Sequence, residues 1–72
     1  MKITEAVFFT DNKVVRLETD AGNFYLTDEA EVYDMHPVNV MANKIEGSKA
    51  KELKEAIKRD KFKGNNEVKK WL

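Results

Sequence analysis

The sequence predicts an α+β domain: a three-stranded antiparallel meander, four-stranded if residues 28–36 add a strand, covered on one face by two or three C-terminal helices. Three observations carry this. Apolar residues alternate over the first 27 positions, turn formers interrupt that stretch twice, and from residue 37 the apolar spacing changes to three and four. At 72 residues the chain has room for one core, so a single domain is expected. It divides into a meander at 1–27, an irregular segment or short fourth strand at 28–36, and helices over 37–72.

In the first strand Ile3, Val7 and Phe9 share a face, and in the second Val15 and Leu17 do. A two-residue loop at 11–12 pairs Phe9 with Val14 and leaves Val7 opposite Arg16. A three-residue loop at 11–13 pairs Phe9 with Val15 and Val7 with Leu17. A one-residue slip moves a whole strand to the other face, so the three-residue loop is the expected register.

The second turn spans Asp20, Ala21, Gly22 and Asn23. A four-residue loop there pairs Thr19 with Phe24 and Leu17 with Leu26. The expected outer face then carries Thr4, Phe8, Arg16, Glu18 and Tyr25.

Residues 28–36 admit two readings. Asp28 with Glu31 fits a capping box, and Ala30 with Val32 fits an alternating strand. Pro37 disfavours helical geometry in the residue before it, which favours extended or irregular chain. Pro37 then suits the first turn of a helix bearing Val38, Met41, Ala42 and Ile45. Ser48 caps a second helix with Ala50, Leu53, Ala56 and Ile57 on one face. Gly64 reads as its stop, and a final turn brings Val68, Trp71 and Leu72 together, with Trp71 substantially buried.

Charge is divided unevenly. The formal net charge is zero, but residues 1–47 hold four basic and nine acidic side chains, and residues 48–72 hold nine basic and four acidic. On the helix read at 48–61, Lys51, Lys54, Lys58 and Lys61 fall within about 80° of arc beside the apolar face. Such a stripe serves as a solvated flank, docks on the chain's own acidic half or on an acidic partner, or follows a phosphate backbone. Lysine outnumbers arginine eleven to two, which weighs against bidentate phosphate recognition.

The stretch GSKAKELKEAIKRD resembles the start of the last helix of double-stranded RNA-binding domains. That family places a helix before its three strands and packs paired alanines where Leu53-Lys54 and Ala56-Ile57 stand here. The resemblance covers about fourteen residues.

Catalytic and cofactor chemistry finds little footing. There is no cysteine, Ser48 is the only serine, His36 the only histidine, and the three glycines are scattered. These numbers supply no thiolate site, nucleophilic triad or phosphate loop. The carboxylates upstream of His36 lack calcium-loop spacing, and a transition metal would want a second nitrogen or sulfur ligand. No enzyme activity, cofactor or metal is expected.

No apolar run reaches the roughly 18 residues of a membrane span and no signal peptide is visible, so a soluble cytoplasmic protein without membrane association is expected. The lysine- and asparagine-rich, cysteine-free composition is typical of accessory genes of phages and mobile elements. The leading expectation is a small non-enzymatic protein that binds another protein. A nucleic-acid-binding module using the lysine stripe is the runner-up. Partner-binding candidates are Lys51, Lys54, Lys58, Lys61, Phe8, Tyr25 and Tyr33, the aromatics because tyrosine supplies contact area at low entropic cost. Oligomeric state is open.

Overall fold

The computed structural model describes residues 1–11 and 13–72. In chain order the elements are β1 (Ile3–Phe8), β2 (Val14–Thr19), β3 (Gly22–Thr27), β4 (Val32–Tyr33), β5 (Lys44–Ile45), α1 (Ser48–Arg59) and α2 (Asn65–Lys69). The strands make one antiparallel sheet in the order β1-β2-β3-β4-β5. Both helices pack on the same face. The α+β class stands, with five strands among the described residues rather than three or four, and two short helices.

The register of β1 differs from the expected one. Phe8 lies opposite Val15, Ala6 opposite Leu17 and Val7 opposite Arg16, while the Phe9 amide donates to the Val14 carbonyl. This is the register of the two-residue loop; the turn tip at Asn12 lies outside the described residues. A bulge reconciles it with burial of Ile3. Pairing runs Ile3 to Thr19 and then Glu5 to Glu18, so Thr4 is the extra residue, and its hydroxyl donates to the Glu18 carbonyl at 3.1 Å. One inserted residue shifts the alternation by one. Ile3 therefore joins Ala6 and Phe8 on the core face, and Val7 and Phe9 go to the other face.

The second hairpin is tighter than expected. Thr19 pairs with Gly22, Leu17 with Phe24 and Val15 with Leu26, leaving Asp20 and Ala21 as the loop. The Thr19 hydroxyl donates to the Gly22 carbonyl at 2.7 Å and accepts from the Ala21 amide at 3.0 Å. The shift is two residues, so every side chain keeps its expected face.

The stretch 37–47 is not a helix. It forms two consecutive turns and then β5, which pairs Ile45 with Val32 and Lys44 with Tyr33. The physical reason is local competition. Asparagine and valine are weak helix formers, and short polar side chains offer the backbone other hydrogen bonds. The Asn39 side chain caps the Met41 amide at 2.8 Å, and Asp34 caps the Asn43 amide at 2.7 Å.

α1 buries Ala50, Leu53, Ala56 and Ile57 as expected. They meet Ile3, Val15, Leu17, Phe24, Leu26 and Val32 of the sheet and Val68 of α2 in one core. Gly47, at φ 77°, precedes the helix, and Ser48 makes no side-chain cap. α1 ends at Arg59, because Asp60 is extended, so Lys61 lies beyond the helix. Gly64 starts α2 instead of stopping α1. Val68 is buried, Trp71 is half-buried with its ring edge-on to Phe8 at 5.7 Å, and Leu72 is exposed. The expected burial of the C-terminal face is therefore partial.

Candidate functional site

The helix-free face of the sheet is crossed by one row of paired residues: Val7, Arg16, Tyr25, Tyr33 and Lys44, one from each strand in order. Arg16 donates through Nε and Nη2 to one Glu18 oxygen, which holds the guanidinium pKa above its ordinary value. Lys44 donates to Glu31 at 3.1 Å, and that carboxylate likewise raises the ammonium pKa. The charges on this row are thus paired within the sheet, and its aromatic rings remain half-exposed.

An aromatic cluster grows from this row. The Phe9 ring packs edge-on against His36 with centroids 4.6 Å apart, and both lie near Tyr25, at 6.1 and 6.3 Å. Beside them Val14 is buried on the helix-free face, outside the main core. This small second cluster anchors the loop between β4 and β5 through His36.

That loop is held by its own polar groups. Asp34 and Asn43 clasp its base: the Asp34 amide donates to the Asn43 carbonyl, and the Asp34 carboxylate accepts the Asn43 amide and side-chain N–H. These hydrogen bonds, the backbone one first, pull the Asp34 pKa below the usual carboxylate value. Within the loop, the Asn39 amide donates to the His36 carbonyl, and His36 Nδ1 accepts the Val38 amide at 3.1 Å. The Ala42 amide then donates to the Asn39 carbonyl.

With the polar side chains turned to the backbone, the apolar ones point outward. Val38 is 82% exposed, Val40 96%, Met41 67% and Met35 42%. This inverts the usual arrangement of a surface loop, in which polar groups meet water. Single exposed apolar residues are ordinary; four on one short, hydrogen-bonded loop are not.

The residues singled out from the sequence fall in different places. Tyr25 and Tyr33 lie on the helix-free face, as an outer surface requires. Phe8 does not: the register of the first hairpin sets it opposite Val15 on the core side, against Trp71 and Gly64, and Phe9 takes the outer position. Lys51, Lys54 and Lys58 line one flank of α1, with Lys61 in the extended segment after it. Among the described residues none of these four lysines forms an ion pair. Lys51, Lys54 and Lys58 share a groove with Glu31 and Glu46 of the acidic half without closing to ion-pair distance.

Val38, Val40 and Met41 were not legible as surface residues, since Val38 and Met41 fit a buried helical stripe. The available signal was Asn39 and Asn43, which favour turns over helix interiors. No family model, curated protein or solved structure matches the chain.

Proposed function

We propose that this protein is a small non-enzymatic protein-binding module, whose β4–β5 loop inserts Val38, Val40 and Met41 into an apolar cleft of a partner protein. One observation carries the reading: a loop ordered by its own polar side chains presents its largest apolar side chains to solvent. A pre-ordered loop gives up little conformational entropy on binding, so its apolar area contributes more fully to affinity. Burying one such side chain is worth about 1.5–3 kcal/mol. The half-exposed Tyr25 and Tyr33 extend the same surface with the amphipathic rings that interfaces favour.

Among the described residues Lys51, Lys54, Lys58 and Lys61 form no ion pair, which supports a second reading, in which the protein binds nucleic acid along α1. Among the described residues no helix is long and apolar enough to cross a membrane. A cytoplasmic setting and an origin among phage or mobile-element accessory genes belong to the same proposal and rest on composition.

Affinity capture from the native cell separates the readings. The protein-binding reading expects a partner retained after nuclease treatment and in high salt, and lost when Val38, Val40 and Met41 are all changed to serine. Capture that survives this change but is abolished by nuclease, and falls steeply with salt, supports the nucleic-acid reading instead.

A further inference from the structure

β1 is the first strand in the sheet order, so its side away from β2 has no strand neighbour among the described residues. The ladder fixes which groups that side presents. The Phe9 amide donates to the Val14 carbonyl, so residues 9 and 14 are a hydrogen-bonded pair. Such pairs alternate along antiparallel strands. Val7 and Arg16 are therefore the next hydrogen-bonded pair, whereas Phe8 with Val15 and Ala6 with Leu17 are not. The N–H and C=O groups of Ala6 and Phe8 point away from β2.

This edge is covered at its start and bare in its middle. The Asp20 amide donates to the Lys2 carbonyl, which by the same alternation turns the Ile3 N–H outward, and the Asp60 carboxylate accepts it at 2.9 Å. The bulge at Thr4 comes next. From Ala6 to Phe9 the chain carries no charge, proline or bulge, the devices that keep a strand edge from pairing. All four side chains are half-buried. Ala6 and Phe8 lie on the helix side and Val7 and Phe9 on the other, so the edge is apolar on both faces.

We propose that β1 pairs antiparallel with β1 of a second copy of this chain, about a two-fold axis at Val7, joining the two sheets into one. The strand fits itself in that register. Ala6 meets Phe8 of the second copy and Phe8 meets its Ala6, each a hydrogen-bonded pair with a small side chain facing a large one. Between them Val7 faces Val7 on the helix-free side. This is a β-branched, non-hydrogen-bonded pair, in which side chains approach most closely. Glu5 falls opposite Phe9, so like charges do not meet. An axis at Ala6 would set two alanines together and Glu5 against Val7. An axis at Phe8 would crowd two rings, each already so close to Gly64 that a Cβ there would stand 2.8 Å away.

Symmetry also favours a second copy. Pairing β1 with β1 uses the same edge twice and closes, whereas pairing β1 with β5 would leave open ends and grow filaments. β5 is only two residues long and carries the charged Lys44. The dimer uses the edge of the sheet opposite to β5 and does not rest on the binding role of the β4–β5 loop.

The test is sedimentation equilibrium from about 10 µM to about 1 mM, a range suited to a small interface, with amide hydrogen exchange read by NMR. The result expected is a monomer–dimer equilibrium in which exchange at Ala6 and Phe8 slows as the dimer fills. Val7→Glu should leave the monomer folded, because the new carboxylate stands opposite Arg16 within the sheet. It should weaken the dimer about tenfold, because two glutamates then meet at the axis. Val7→Lys should weaken it likewise, and an equimolar mixture of the two variants should restore it. Ala6→Pro removes only an outward N–H, a position where an edge strand tolerates proline, and should abolish the dimer with the circular dichroism unchanged. Val40→Ser should leave the dimer intact. The proposal is overturned if the protein stays monomeric at about 1 mM or grows beyond a dimer, the size such a small interface closes at. It is equally overturned if the dimer survives Val7→Glu or Ala6→Pro, if the mixture associates no better than either variant alone, or if Val40→Ser abolishes the dimer.

Discussion

The Asp60 carboxylate accepts the backbone N–H of Ile3 at 2.9 Å, joining the end of α1 to the start of β1. Asp60 also takes the Arg59 guanidinium, and Arg59 reaches across to the Met1 carbonyl. The Arg59 hydrogen bond, followed by that of Ile3, lowers the Asp60 pKa from 3.8 to about 2. A pKa lowered by folding means that the ionised carboxylate stabilises the fold. That contribution is complete above pH 3.8 and is lost as pH falls through about 2. Asp60→Ala should therefore lower the urea midpoint at pH 6, and the gap to the unaltered protein should close toward pH 2. A constant gap across that range would remove the charge from the explanation.

Gly64 adopts φ 89°, and a Cβ built there would stand 2.8 Å from the Phe8 ring. That ring also packs edge-to-face with Trp71, with centroids 5.7 Å apart. Gly64→Ala thus combines left-handed strain with overpacking, and should cost about 1–3 kcal/mol. Thermal melting gives the size, and Trp71 fluorescence shows whether Phe8 has moved.

Ala30 is the reverse case. It is the non-glycine residue with positive φ among those described, at 65°, in a turn where the Thr27 hydroxyl accepts the Glu29 and Glu31 amides. Left-handed geometry costs an L-residue about 1–2 kcal/mol, and glycine gives back part of the gain in unfolded-state entropy. Ala30→Gly should raise stability by about 0.5–1 kcal/mol in denaturant melts.

Val38, Val40 and Met41 should be dispensable for folding. Substitution of each by serine is expected to change stability by less than about 0.5 kcal/mol, the usual range for exposed sites. Val32→Ala, at a buried position of β4, should cost about 1–3 kcal/mol. Equal losses would mean that the loop has a packing role.

Much of the core was readable from periodicity because Val15, Leu17, Phe24, Leu26 and the α1 face follow uninterrupted periods of two and 3.6. β1 was misread because one residue, Thr4, breaks the alternation, and nothing in its identity marks a bulge. The 37–47 stretch was misread because Val38, Met41, Ala42 and Ile45 fit a helical stripe by spacing. Spacing carries no information about Asp34 closing on Asn43. The consequence is specific to function: helical spacing assigns Val38 and Met41 to a buried face, whereas the loop exposes both. The lysine stripe is visible in the sequence, but that its lysines form no ion pair among the described residues is a property of the fold.

The most direct test of the account is photocrosslinking in the native cell from a benzophenone side chain placed at Val40, with the same group at Lys49 as a control. Both positions are exposed. The account predicts one dominant protein adduct from Val40, insensitive to nuclease, much weaker from Lys49, and lost when Val38 and Met41 are changed to serine. Adducts of equal yield from the two positions, or an adduct from Val40 that disappears with nuclease, would contradict it.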